Sequence, residues 1–180
     1  MAGAWVGAVL TGGSSRRMGR DKATLEIDGE PMAARVAAAL VAAGAAEVVT
    51  VGPAVAGLTS IAEAEPGQGP LGAVVAAISW AGGRVVFVAA CDLIAPDPAS
   101  FAAVVAALDA HADAAVPMVH GRAQPLAAAY APSAVDALTA AYASGERSIS
   151  AALRGLRVTD VSGIDPEAFR DADEPGDLDQ

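Results

Sequence analysis

With 180 residues, the chain has the size of one ordinary domain, long enough to bury about two-thirds of the surface its unfolded form exposes. Hydrophobic residues make up 54% and charged residues 18%, which excludes disorder as the dominant state, and every apolar run is shorter than the roughly 20 residues of a membrane span. The formal charge of -10 argues against duplex DNA or an anionic membrane as the main partner, since both reward a field of Lys and Arg.

The first apolar run, residues 5–10, is short and ends at Gly12 and Gly13, as a buried strand entering a glycine loop does. Four cations, Arg16, Arg17, Arg20 and Lys22, then fall within seven positions, and Lys22 is the only lysine. Residues 32–43 read as a helix stopped by Gly44, with Pro31 in a first turn where no amide donor is needed. A strand follows over 47–51, then a helix over 70–80 that opens on Pro70 and ends at Gly82 and Gly83.

The wholly apolar residues 85–90 make the best central strand. Asp97 and Pro98 predict a cap and first position for a helix through residue 108, followed by a strand over 114–118. Beyond Tyr130 the pattern gives helices over 133–143 and 148–153 and a late strand over 156–161. The alternation predicts an α/β fold: one domain over 1–180, with a mostly parallel, doubly wound, Rossmann-like sheet and helices on both faces. From residue 160 to 180 eight acids face the single Arg170, a solvated tail that is packed or partly frayed.

One cysteine, Cys91, has no internal disulfide partner, and the start MAGAWVGAVL lacks a basic region followed by a long apolar core. The expected compartment is the cytoplasm. His111 and His120 have no paired cysteine or acidic ligand pattern between them, so no zinc site is expected. Trp5, Trp80 and Cys91 are expected to fill core or edge space.

The run LTGGSSRRMGRDK from Leu10 to Lys22 carries the chemistry. Glycines after a buried strand let backbone amides approach a phosphate chain, and ligands of open α/β sheets gather at the carboxyl ends of the strands. Arg17 and Lys22 supply the opposing charge. The spacing is neither that of a Walker A loop nor of a G-x-G-x-x-G fingerprint, which removes support from a kinase or dehydrogenase.

This loop resembles the signature L-x-G-G-x-S-x-R-M-G-x-D-K of the nucleotidyltransferases of the molybdenum cofactor guanylyltransferase (MobA) type. Leu10, Gly12, Gly13, Ser15, Arg17, Met18, Gly19, Asp21 and Lys22 all match. The resemblance continues through Gly69-Pro70-Leu71, Cys91-Asp92, Gln124-Pro125-Leu126, Gly145-Glu146-Arg147-Ser148 and the acidic Pro-x-Asp-Leu ending at residues 175–178.

What the resemblance implies is Mg²⁺-dependent transfer of GMP from GTP to the terminal phosphate of molybdopterin, normally carrying molybdenum, with release of pyrophosphate. Such a site must bring two polyanions together for in-line attack, so cations have to be fixed there. Asp92, at the end of a buried strand, is then the Mg²⁺ ligand. Lys22 neutralises the triphosphate and the leaving pyrophosphate, and Arg17 assists with its planar fork. An acceptor phosphate already ionised needs no general base, and Ser14 and Ser15 serve as loop hydrogen-bonders.

By the same resemblance, guanine is held by backbone groups of Leu10, Thr11 and Gly12 and by the Gly69-Pro70-Leu71 turn, with Gly13 and Ser15 also among the nucleotide-binding residues. A carboxylate, Glu63 or Glu65, lies on the ribose or is a solvated charge. The acceptor side takes Gln124, Pro125, Asp171 and Asp173. Implied partners are GTP, molybdopterin and, transiently, molybdoenzymes or other proteins of cofactor biosynthesis, with no nucleic acid and no membrane.

The chain departs from the family pattern near its end, with Asp171-Ala172-Asp173-Glu174-Pro175 where Asn-x-Asn-Thr-Pro is common. Asp171 or Asp173 then offers a second metal carboxylate, or belongs to the acidic tail. Thr11 in place of alanine and Leu93-Ile94 in place of Met-Pro are milder departures. Two rival functions stay open: a cytidylyl homologue using CTP, and a non-catalytic carrier or nucleotide-binding protein for the cofactor.

Overall fold

The computed structural model describes residues 4–12, 26–27, 29–63 and 65–172 of the chain. Strand β1 (Val6–Leu10) is buried along its whole length. A small hairpin of β2 (Glu26–Ile27) and β3 (Glu30–Pro31) leads into helix α1 (Met32–Ala42). Pro31 sits at the N-cap of α1, one residue before the expected first turn, because its extended backbone (φ -56, ψ 132) also closes the hairpin.

Strands β4 (Val48–Val51) and β5 (Thr59–Ile61) precede α2 (Pro70–Ala81), which ends at Gly82 in the left-handed conformation. Strand β6 (Val86–Ala90) is followed by α3 (Pro98–Ala106), capped as expected by Asp97, whose carboxylate accepts from the amides of Ala99 and Ser100. Then come β7 (Ala114–Val119), β8 (Arg122–Ala123), β9 (Ala127–Tyr130), α4 (Ala134–Ala143), the short α5 (Ile149–Ala152) with a 3₁₀ turn, and β10 (Val158–Val161).

The sheet runs β10-β7-β9-β6-β1-β4-β5, with β8 paired to β7. β1 lies parallel to β4 and β6, β4 to β5, and β7 to β10. The one departure within the main strand order is β9, antiparallel between β6 and β7. Its sequence, Ala-Ala-Ala-Tyr, has three residues depleted in strands, so packing on both faces rather than propensity places it there. β5 and the hairpin are likewise absent from the sequence-based reading. They are two or three residues long and exposed or half-buried, with no apolar run to mark them.

Alternate residues of the central strands enter two cores, which is why neither β1 nor β6 shows polar alternation. Val9, Phe87 and Ala89 pack under α1 and α3. Val6, Ala8, Leu10, Val86 and Val88 pack under α2, α4 and α5. In the first core Trp5, Phe87, Phe101 and Phe169 stack in sequence at centroid spacings of 6.4, 4.8 and 6.1 Å. Full burial of a phenylalanine contributes about 2 kcal/mol. Phe169 belongs to a 3₁₀ turn, Pro166–Phe169, so this stack ties the chain after β10 back to the sheet.

Candidate active site

The register of the central strands sets the site. Leu10 lies beside Ala90 and Val51, so the residues that follow β1 and β6 leave the same sheet edge together. The amide of Cys91 donates to the carbonyl of Leu10 at 3.2 Å, and that of Thr11 donates to Val51 at 3.0 Å. The Thr11 hydroxyl, buried, reaches the carbonyls of Val51 (3.1 Å) and Pro53 (2.8 Å). An alanine there would leave those contacts unmade, so the departure from the family pattern tightens the turn rather than loosening it.

A cavity of about 600 Å³ opens at this edge. One wall is Leu10, Thr11 and Gly12, and a second is Glu63 with Gly67, Gly69, Pro70 and Ala73. The floor is the last residue of β6, Ala90, and the residues that follow it to Leu93, including Asp92. The far side holds Gln124, Pro125, the start of α5 at Ser148, Ile149 and Ser150, then Phe169 and Asp171. Among the described residues the lining carries the carboxylates of Glu63, Asp92 and Asp171 and no Lys or Arg.

Glu63 is 8% exposed, and burial pushes its carboxyl above the usual carboxylate range. It packs so closely on Gly12 that a Cβ at that position would collide with Glu63 Oε1. Glu65 stands outside the cavity lining: Tyr142 Oη donates to its Oε2 at 3.1 Å, and Arg147 Nη2 lies 3.7 Å from the same oxygen. The two glutamates that the sequence left as alternatives are therefore divided, Glu63 facing the cavity and Glu65 facing α4.

The chain after β10 brings Asp171 alongside the segment that carries Asp92. Leu93 and Asp171 form an antiparallel bridge. It is closed by the amide of Ala172 donating to the Asp92 carbonyl (2.9 Å) and that of Ile94 donating to Arg170 (3.0 Å). Part of the acidic segment is thus built into the site. Two hard carboxylates suit Mg²⁺, which keeps waters and substrate phosphates for its remaining positions. Among the described residues no group of three or more His, Cys, Asp or Glu is placed to hold a metal ion.

Of the other expected residues, Gln124 and Pro125 reach the cavity, and Tyr130, fully buried, donates its hydroxyl to the Pro125 carbonyl at 2.6 Å. Leu71 does not line the cavity: its side chain is fully buried in the core under α2. Gly13, Ser15, Arg17, Lys22 and Asp173 lie outside the described residues. Ser148 and Ser150 were not singled out, and neither were Arg147 and Tyr142. The Gly145-Glu146-Arg147-Ser148 match was the signal for two of the four, Arg147 and Ser148, but a turn motif names no chemistry by itself. His111 and His120 are exposed.

A largely parallel sheet flanked by helices, with a glycine turn and an aspartate meeting at its carboxyl edge, defines an α/β protein of the nucleotidyltransferase type. The family model for the MobA-like NTP transferase domain matches residues 7–159. The chain belongs to this family.

Among the relatives, a probable molybdenum cofactor guanylyltransferase of Opitutus terrae is 36% identical, over 94% of this chain and 89% of its own length. Another of that name, from Chloroflexus aggregans, is 34% identical over 86% of this chain and 78% of its own. The crystal structure of molybdopterin-guanine dinucleotide biosynthesis protein A from Archaeoglobus fulgidus superposes with a TM-score of 0.80 at 25% identity. It covers 96% of this chain and 94% of that one. No described helix is long and apolar enough to cross a membrane.

Proposed function

We propose that the protein transfers GMP from GTP to the terminal phosphate of molybdenum-bearing molybdopterin, in the cytoplasm, giving the guanine dinucleotide cofactor and pyrophosphate. The observation that carries the reading is the cavity at the carboxyl edge of β1 and β6, which has nucleotide size and is lined by carboxylates alone among its described charged groups. Such a lining repels a triphosphate unless cations are brought in. The chain's one concentration of cations, Arg16 to Lys22, follows directly on the Gly12 wall in sequence. Relatives named molybdenum cofactor guanylyltransferases, similar along most of the chain, support the choice of substrates.

In this reading an oxygen of the acceptor phosphate bonds to the α-phosphorus of GTP while the bond to the α,β-bridging oxygen breaks. Pyrophosphate leaves with the electron pair. Backbone groups from Leu10 to Gly13 and the turn at Gly69 and Pro70 hold the nucleotide, with Glu63 on the ribose. Ser15 and Arg17 hold phosphate oxygens, and Lys22 stabilises the charge that grows on pyrophosphate. Asp92, with Asp171 or Asp173, would hold Mg²⁺, whose contribution is to neutralise phosphate charge and polarise the reacting phosphate. Gln124 and Pro125 line the acceptor side.

The test is pyrophosphate release with Mg²⁺ and a molybdopterin acceptor, with GTP, CTP and ATP in parallel. GTP-selective turnover is expected. Selectivity for CTP would overturn the choice of base, and binding without turnover would favour a carrier. Lys22→Ala should lower pyrophosphate release by about 100-fold or more; unchanged release would remove Lys22 from the chemistry.

A further inference from the structure

The turn between α4 and α5 grips the loop that carries Glu63 and Gly69 from both ends. At one end the backbone of Arg147 is the partner: its carbonyl accepts from the amide of Leu71 at 3.2 Å, satisfying one of the donors that the first turn of α2 leaves unpaired. Gly69, at φ +106, lies so close that a Cβ there would meet the Arg147 carbonyl oxygen at 2.9 Å. At the other end the side chain of Arg147 approaches Glu65, 3.7 Å away, while Tyr142 Oη donates to the same carboxylate oxygen.

The guanidinium is itself held in place. Its carbon lies 4.2 Å from the centroid of the Tyr142 ring, a cation-π contact. Arg147 Nη1 donates to the carbonyls of Tyr142 and Glu146, both at 2.9 Å. Glu146 fixes the turn in turn, its Oε1 accepting from the amides of Arg147 and Ser148 at 2.8 Å each. None of the four groups that fasten Arg147 and Glu65 (the Tyr142 ring and hydroxyl and the two carbonyls) lines the cavity.

We propose that Arg147 is a positioning residue for the nucleotide: by holding Glu65 from outside the cavity, it fixes the loop that presents Glu63 and Gly69 to the ligand. This rests on the functional reading above, in which that loop forms the nucleotide wall. Because the two side chains are 36% and 59% exposed, their bond is screened and its effect modest. Arg147→Ala and Glu65→Ala should each weaken GTP binding roughly two- to fivefold. The double variant should be no weaker than either single one, since both break the same clasp.

Calorimetric titration of GTP into the full chain and the three variants reads this cycle. Steady-state kinetics of Arg147→Ala should show KM for GTP raised with kcat little changed. Arg147→Lys, which keeps the charge but loses the planar stack, should recover part of the affinity. Multiplicative losses in the double variant, or a full loss from Glu65→Ala with none from Arg147→Ala, would overturn the proposal in favour of direct contact between Glu65 and the ligand. A lowered thermal midpoint with unchanged GTP affinity would reduce Arg147 to a structural role. Wild-type protein that binds no nucleotide would sink the functional reading and this inference together, whereas wild-type binding with unaffected variants would sink the inference alone.

Discussion

Asp92 and Asp113 stand at opposite edges of the same sheet. Asp92 follows β6 at its carboxyl end, where the cavity opens. Asp113 precedes β7, which runs in the same direction as β6 because both are antiparallel to β9. The carboxylate of Asp113 takes Arg157 Nε (2.9 Å), Arg157 Nη2 (2.6 Å), the Arg157 amide (3.0 Å) and Ser133 Oγ (2.6 Å). The Arg157 fork, then the Ser133 hydroxyl, hold its pKa far below the usual range. Its partners are all on the protein, and it joins the starts of β7, β10 and α4. The other edge concentrates Glu63, Asp92 and Asp171 around open space. Residue type is the same at both edges. What differs is the setting: Asp113 is closed into an ion pair that joins three elements, whereas the other three carboxylates line a cavity.

The comparison breaks most sharply at Asp92. On the proposed reading, in which Asp92 would hold Mg²⁺, Asp92→Asn should lower pyrophosphate release about 100-fold or more. Its thermal midpoint should move less than that of a variant at Asp113. If Asp92→Asn keeps full turnover, the cavity edge is as structural as the other.

The converse experiment is Asp113→Ala, expected to cost about 2 kcal/mol, the scale of losing hydrogen bonds to a charged group. Arg157, 64% exposed, can rehydrate, which keeps the loss below that of a fully buried pair. For a chain of this length the thermal midpoint should drop roughly 4–8 °C. Turnover at a temperature where both proteins are folded should match wild type. A midpoint within a degree of wild type would mean that the cluster joins the strands without stabilising them.

The contrast between the edges was only half legible in the sequence. Asp92 could be found because it ends an apolar run that must be a central strand, and the carboxyl end of such a strand is where ligands gather. Asp113 could not, since its partners Ser133 and Arg157 are 20 and 44 residues away and pair only through β9 and β10. β9 itself was hidden by its alanines. The elements read from the sequence, α1 to α5 and the strands β1, β4, β6, β7 and β10, are those with an apolar run or a helical stretch long enough to mark them. Arg147 fell between the two cases, a residue visible in a motif whose task depends on Glu65 and Leu71 across the fold.

Acid exposes the same difference with opposite sign. Asp113 has a lowered pKa, so its stabilisation is complete above the unfolded value of about 3.9 and is lost as pH falls from there toward its native value. Chemical denaturation of wild type and Asp113→Ala should therefore give curves that are parallel near neutrality and converge below about pH 4. A difference that persists undiminished at pH 2 would assign the loss to packing rather than charge.

Glu63 should give the smallest effect on stability and the most telling one. Burial raises its pKa, so the fold prefers the neutral acid. Below the unfolded value of about 4.3 both states are protonated and nothing is lost. As pH rises through that value toward the native one, the folded state pays for ionising the group, and above it the cost is constant. Glu63→Gln keeps the shape and removes the charge, so it should be slightly more stable than wild type at neutral pH, with the gain vanishing below about pH 4. If Glu63 holds the ribose, the same variant should bind GTP several-fold more weakly, because an anionic acceptor becomes a neutral amide. Stability gained while affinity is lost, in one substitution, is the mark of a carboxylate whose partner is a ligand. A variant that loses stability would instead place Glu63 with Asp113, as a group the protein uses to hold itself together.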